Sequence, residues 1–379
     1  MSYAKTARYI EAQVKEDLLK KMVFVGGPRQ VGKTTFSLSL HPSKETVYLN
    51  WDIDEDRTKI LDRQLGESRL LILDEVHKFT RWRNYLKGLF DSMKAGRGPY
   101  REILVTGSAR LDVYRYGGDS LQGRYHSLRL FPLSFAEIGG NTSDDLKGLL
   151  KLGGFPEPFF SQSEKTALRW SREHRARLVR EDIRDLENIQ DLSGVELLLG
   201  RIPDCVGNPL SINALREDLQ VSHKTVSHWI EVIERMYGIF RISPLQGPKI
   251  RAVKKEQKAY LYDWIPIEDE GYRFENLIAL HLLKYSCWLE DSQGQESELR
   301  YFRDTDGREV DFVLLKNKQP ILLVEAKLSD TAVSPALHYL KAKYPATRAY
   351  QLLLDSKRDF VSSDGIRVCP AREFLKELV

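Results

Sequence analysis

The sequence predicts an α/β protein. Its first 140 residues should form a parallel sheet with helices on both faces, followed by a helical module and a small mixed α/β domain. Three observations predict it. Four short apolar runs recur early in the chain, at Met22-Val23-Phe24-Val25, Thr46-Val47-Tyr48-Leu49, Leu70-Leu71-Ile72-Leu73 and Ile103-Leu104-Val105-Thr106, with helix-like stretches between them. That alternation is expected of parallel strands covered on both faces. A glycine-rich turn follows the first run directly. After Phe131-Pro132-Leu133 the pattern becomes helical, with a Gly-Gly-Phe-Pro break at 153–156, and returns to mixed helix and strand at about 270. The expected divisions are 1–140, a helical linker or lid over 141–200, a compact module over 201–265, and a final domain over 266–379.

Composition narrows the function classes. Lys and Arg total 58 against 54 Asp and Glu, a formal charge of +4. This excludes a histone-like polycation and a wholly acidic scaffold, and leaves room for a local basic face. With 42% hydrophobic and 30% charged residues, the chain should be core-forming rather than disordered. Cys205, Cys287 and Cys369 are far apart and form no CxxC pair, which argues against a disulfide framework or a structural zinc site. No run of 18 apolar residues exists, and charges are scattered through the first 21 residues. No membrane association and a cytoplasmic location are therefore expected.

The elements follow in order. Tyr9 to Lys21 reads as a short amphipathic helix. Gly27-Pro28-Arg29-Gln30-Val31-Gly32-Lys33-Thr34 then fits GxxxxGK[ST] directly after the first strand, with Thr35 carrying on into a helix that should begin near Lys33. Successive backbone N–H groups there would cradle nucleotide phosphates. Lys33 would reach the β- and γ-phosphates and Thr34 would place its hydroxyl on magnesium. The third apolar run ends in Asp74-Glu75, at the carboxyl edge of the sheet where open α/β folds bind ligands. Asp74 would hold magnesium through water, and Glu75 would orient or activate the attacking water.

Two more polar elements belong to this group. Ser108, in Thr106-Gly107-Ser108, could address the γ-phosphate or its water, the alternative being an ordinary turn. Arg124 could lend charge to a neighbouring subunit's nucleotide; Arg110 competes for that role, and a solvated arginine is the plainer alternative.

The phosphate loop, the Leu-Asp-Glu strand end, the Thr106-Gly107-Ser108-Ala109-Arg110 segment and the Gly123-Arg124-Tyr125 and Phe131-Pro132-Leu133-Ser134-Phe135 stretches resemble predicted AAA+ superfamily ATPases of bacteria and archaea. In that group an ATPase module precedes a less defined carboxyl-terminal region. The resemblance implies a P-loop NTPase sheet and ATP and magnesium binding at the named positions. Glu75 fits a hydrolysing version, and by the same analogy a homo-oligomer is expected.

Further along, Ser211 precedes a helix with apolar positions 212, 215 and 219. After the turn Gln220-Val221-Ser222, Ser222 precedes a second helix with Val226, Ile230 and Ile233 on its inner face. Helix, turn and capped helix is the spacing of a helix-turn-helix, whose second helix would offer His223, Lys224, Thr225 and His228 to base edges. The apolar runs 239–242 and 258–262 flank a stretch with Lys249, Arg251, Lys254, Lys255 and Lys258. Two strands around a basic tip would make a wing able to hold DNA phosphates. A winged-helix module used only for packing or protein contact is the alternative.

In the last domain, Gly307 to Leu315 and Ile321 to Lys327 read as a hairpin about Asn317-Lys318-Gln319, placing Asp311 opposite Glu325 with Lys327 on the same face. Glu275, on a helix upstream, could add a third carboxylate. Such a cluster suits metal-assisted phosphodiester hydrolysis. The Asp311…Glu325-Ala326-Lys327 spacing resembles the PD-(D/E)xK, restriction-endonuclease-like core, with Val310 where that pattern has proline. An inactive domain of that fold, or a hairpin with a surface ion pair, is the alternative. The expectation as a whole is an ATP-hydrolysing protein whose nucleotide state governs a DNA- or partner-binding region. An ATP-gated nuclease and a non-hydrolysing nucleotide sensor are the rivals.

Overall fold

The computed structural model describes residues 6–97, 100–107, 121–183, 189, 191–245 and 257–379. They fall into two compact units, Met1–Pro132 and Leu133–Val379.

The first unit runs α1 (Glu11–Leu18), β1 (Met22–Gly26), α2 (Lys33–Ser39), β2 (Thr46–Asn50), α3 (Asp54–Leu61), β3 (Leu70–Asp74), α4 (Trp82–Lys94), β4 (Glu102–Thr106) and β5 (Tyr125–Arg129). The strands lie in the order β2-β3-β4-β1-β5, and every neighbouring pair is parallel. β1, β3 and β4 are buried at all positions, whereas β2 and β5 are only partly buried. This is why the sequence shows unbroken apolar runs in the centre. It is also why β5, Tyr-His-Ser-Leu-Arg with a single buried leucine, gives no such signal. Helix α4 buries Trp82, Tyr85, Leu86, Leu89 and Phe90, a spacing of three and four that puts them on one stripe. They pack with Leu71, Leu73, Ile103 and Val105 of the sheet. The parallel register sets Asn50, Asp74 and Thr106 on one rung at the carboxyl edge.

The second unit holds α5 (Ser143–Leu152), α6 (Pro156–Ser161), α7 (Glu164–Arg177), α8 (Leu192–Arg201), α9 (Ile212–Leu219), α10 (His223–Arg235), α11 (Glu270–Gln293), α12 (Pro335–Lys343) and α13 (Ala371–Leu375). Its strands are β6 (Ile239–Pro244), β7 (Lys258–Leu261), β8 (Ser297–Arg303), β9 (Glu309–Lys316), β10 (Gln319–Lys327), β11 (Arg348–Leu353), β12 (Phe360–Val361) and β13 (Ile366–Pro370). They form one sheet in the order β12-β13-β11-β10-β9-β8-β6-β7. β6 pairs antiparallel with β7 and, through Ser243 and Pro244, parallel with β8. The hairpin of the helical module is therefore continuous with the sheet of the last domain, and residue 265 lies inside one compact unit. Among the described residues no helix is long and apolar enough to cross a membrane, and the three cysteines are free thiols.

Candidate functional site

The turn after β1 is held in a shape that only certain residues allow. Gly27 has φ of 140°, and a Cβ there would stand 2.2 Å from the Leu130 carbonyl oxygen. Gly32 caps α2 in the left-handed region at φ 95°. Arg8, buried beneath the loop, donates to the Val31 carbonyl at 3.0 Å and also to that of Phe131. Lys33 is buried, and its ammonium donates to the carbonyls of Gly27 at 3.0 Å and Pro28 at 2.7 Å. The loop thus closes around a cation set at the first turn of α2.

Thr34, next along α2, donates from Oγ1 to Asp74 Oδ2 at 2.9 Å. Two more hydroxyls converge on the same carboxylate: Tyr48 on Oδ2 at 2.8 Å and Thr106 on Oδ1 at 2.6 Å. Asp74 is 4% exposed, so these donors replace the water it has lost. Burial, and then the Asp74 carboxylate, push the Tyr48 phenol up, so it remains a donor. Glu75 follows with φ of 56°, a left-handed turn that swings it away from the strand. Its Oε2 lies 3.4 Å from His77 Nε2 and 3.6 Å from Lys78 Nζ. Burial raises its pKa above the usual carboxylate value, while Lys78 and Lys33 pull it back. A hydroxyl and a carboxylate 2.9 Å apart, beside a cation-lined loop, are the hard oxygen donors that suit a magnesium ion carried by phosphates.

The other residues expected here divide. Ser108 and Arg110 lie outside the described residues. Thr106, read as the end of the fourth apolar run and the start of the turn, anchors Asp74. Arg124 sits just before β5, at the amino-terminal end of a parallel strand and therefore at the edge opposite Asp74. There its Nε donates to Asp91 Oδ1 of α4 at 2.9 Å, so it does not serve the phosphate loop of its own chain. Arg8 and Tyr48 are site residues the sequence did not disclose. The one signal for Tyr48 was a phenol in an otherwise apolar run.

In the second unit, Ser211 and Ser222 cap α9 and α10, accepting from Ala214 N–H at 3.2 Å and Thr225 N–H at 3.1 Å. Between them Gln220 takes a left-handed turn with φ of 54°. Val226, Trp229, Ile230 and Ile233 are buried, whereas His223, Lys224 and His228 are exposed and Thr225 is half-buried. Lys249, Arg251, Lys254 and Lys255 lie outside the described residues. Lys258 requires a correction: it is not a phosphate-facing cation. It is 1% exposed, with its ammonium 2.5 Å from Glu309 Oε1 and 3.4 Å from Glu275 Oε1.

That lysine joins the carboxyl-terminal acid cluster. The β9–β10 hairpin turns through Asn317 and Lys318, both at positive φ, and a bulge near Ile321 sets the later register, with Val324 opposite Phe312. Ala326 N–H accordingly donates to Asp311 Oδ2 at 2.9 Å, and Asp311 N–H reaches Glu325 Oε2 at 3.4 Å. Lys327 Nζ is 2.8 Å from Glu325 Oε1, and the Tyr260 hydroxyl donates to Glu275 Oε1 at 2.7 Å. Burial, and then the charges of Glu275 and Glu325, push the Asp311 carboxyl well up, against the pull of Lys258. Burial works against charge on Lys258, but Glu275, Asp311 and Glu309 outweigh it and hold its pKa above the ordinary lysine value. Glu275, Asp311, Glu325 and Lys327 are thus brought together, with Lys258 as an unforeseen counter-ion. Among the described residues no group of three or more His, Cys, Asp or Glu side chains has the arrangement of a metal site.

Residues 19–139 match the model of an AAA domain, and 143–264 and 270–374 match two domains of unknown function, DUF8612 and DUF4143. Uncharacterized proteins of Mycobacterium bovis and Mycobacterium tuberculosis are each 22% identical, across 93% of this chain and 81% of theirs. Among solved structures, a Walker-type ATPase of Pyrococcus abyssi is similar at 15% identity and a TM-score of 0.42, over 69% of this chain and 94% of that one. The Orc1 protein of Aeropyrum pernix, solved in complex with DNA, is similar at 13% identity and a TM-score of 0.31, over 73% and 94%. With the glycine-built loop, the Asp74–Glu75 strand end and the matched span in agreement, the amino-terminal unit of this chain is an AAA-type P-loop NTPase domain.

Proposed function

We propose that the protein hydrolyses ATP with magnesium and that its nucleotide state governs how the second unit engages DNA. The observation that carries the reading is the union of Thr34, Asp74 and Glu75 beside the Lys33-lined loop. Backbone N–H groups of the loop from Gly27 to Thr35, all but Pro28, and the Lys33 ammonium would bind the phosphates. Thr34 and Asp74 would hold magnesium, which when bound draws charge from the phosphate oxygens. Glu75, half-buried with a raised pKa, would take up the proton of the attacking water. Arg124, facing away from its own site, would address the nucleotide of a neighbouring copy. In the second unit, the capped pair α9–α10 offers His223, Lys224 and His228 to a DNA groove.

Steady-state phosphate release and calorimetry test the first part. Glu75→Gln should keep Mg·ATP binding within a few-fold while turnover falls on the order of 100-fold or more. Lys33→Ala should lose binding itself. Turnover unchanged in Glu75→Gln would remove the hydrolytic assignment.

The convergence of Glu275, Asp311, Glu325 and Lys327 supports a second reading, metal-dependent phosphodiester cleavage. A divalent ion there would compete with Lys258 for Glu275. Plasmid cleavage with magnesium or manganese, lost in Lys327→Ala, is the expected signature. Equal cleavage by both proteins would sink it.

A further inference from the structure

Helix α7 buries Ala167, Trp170, Ser171 and His174, leaving its opposite side exposed. On that side lie Lys165, Arg169 and Arg172, which at 100° per residue fall within about 60° of one another around the axis. Among the described residues none of the three has an ion-pair or hydrogen-bond partner. The two acids of the helix lie against other cations: Glu173 holds Arg177 at 2.9 Å, and Glu164 lies 4.0 Å from Lys151.

The stability of the helix does not account for this face. Like charges at i, i+4 and i, i+3 repel by a few tenths of a kcal/mol. Lys165 also stands in the first turn, where the helix dipole disfavours a cation. Other exposed helices of the same chain lace their charges into pairs, as Glu11–Lys15 does in α1 and Asp54–Arg57 and Asp56–Lys59 do in α3. The α7 face instead holds three uncompensated cations along roughly 10 Å of axis. Over that length one strand of duplex DNA presents about three phosphates. A lipid surface fits poorly, because the apolar side of α7 is spent in the core and only Leu168 is a large exposed hydrophobic on the other.

We infer that Lys165, Arg169 and Arg172 form a second, sequence-independent contact of this protein with the phosphate backbone of duplex DNA. The surface is separate from α9–α10; the choice of DNA among polyphosphates rests on the reading of that helix pair.

The full chain is titrated onto a labelled duplex of arbitrary sequence, by fluorescence anisotropy, from 50 to 200 mM salt. The triple variant Lys165→Gln, Arg169→Gln, Arg172→Gln should bind on the order of ten- to a hundred-fold more weakly, and its log–log salt slope should become shallower by about 2 to 3. Lys224→Ala should shift the slope by about 1. A triple variant with unchanged affinity and slope overturns the inference. So does a wild-type protein that prefers phosphatidylserine vesicles, duplex RNA or polyglutamate to duplex DNA. If Lys224→Ala binds like wild type while the triple variant is weakened, α7 stands and the helix-pair reading fails. Should the triple variant melt early, Arg172→Gln alone decides: a slope shallower by about 1 supports the contact, and an unchanged slope rejects it.

Discussion

Asp74 is the residue on which the nucleotide unit is arranged. It is nearly excluded from water, yet Thr34, Tyr48 and Thr106 each give it a hydroxyl, at 2.9, 2.8 and 2.6 Å. A buried carboxylate that loses a donor keeps its desolvation cost, so Tyr48→Phe should destabilise the first unit by about 1–3 kcal/mol. Urea denaturation of the variant against wild type checks this; equal midpoints would mean that water replaces the phenol. The acid itself was legible in the sequence, since an apolar run ending in Asp-Glu after a glycine loop has few other uses. Its donors were less so. Tyr48 is 26 residues from Asp74, and the two meet only once β2 and β3 pair in a register that no local pattern specifies.

At the scale of elements, caps and periodicity were readable because they depend on neighbours in the chain. Ser211 and Ser222 do accept from the third residue of their helices. Lys258 shows the opposite case: a lysine in a basic stretch reads as exposed, but β7 pairs with β6 inside a sheet that also brings up Glu309 and, from α11, Glu275. Helix α11 carries another such contact in His281, where Nε2 accepts from Phe135 N–H at 3.0 Å while Nδ1 lies 2.8 Å from the Leu277 carbonyl. Burial, with Lys284 adding to it, lowers its pKa from 6.5 to about 4, so it folds as the neutral ring. Between those values the unfolded chain binds the proton and the folded chain does not, so stability falls as the pH drops. From pH 7.5 to 5 the second unit should lose about 2 kcal/mol through this group. Buried Asp263, whose pKa is raised by burial, contributes with the opposite sign. The comparison therefore has to be between wild type and His281→Gln. Urea midpoints of the variant should fall less over that range, and parallel curves would assign the acid sensitivity elsewhere.

For the whole molecule, the two compact units meet in sequence at Pro132–Leu133, and the proposed function requires that nucleotide in one alters DNA binding in the other. Coupling of this kind is a free energy shared by both ligands, so its two faces must agree. In Glu75→Gln, where ATP would persist, duplex affinity with ATP and with ADP should differ by roughly 5- to 150-fold. Duplex DNA should in turn shift the ratio of ATP to ADP affinity by the same factor. Anisotropy supplies the first number and calorimetry the second. A nucleotide effect on DNA of less than twofold would make the units independent modules on one chain. A twentyfold effect in one direction with none in the other would mean that the measured DNA complex is not the one the nucleotide site senses. Agreement would identify a single two-state equilibrium biased from both ends, with the phosphate loop as one input and the basic surfaces of the second unit as the other.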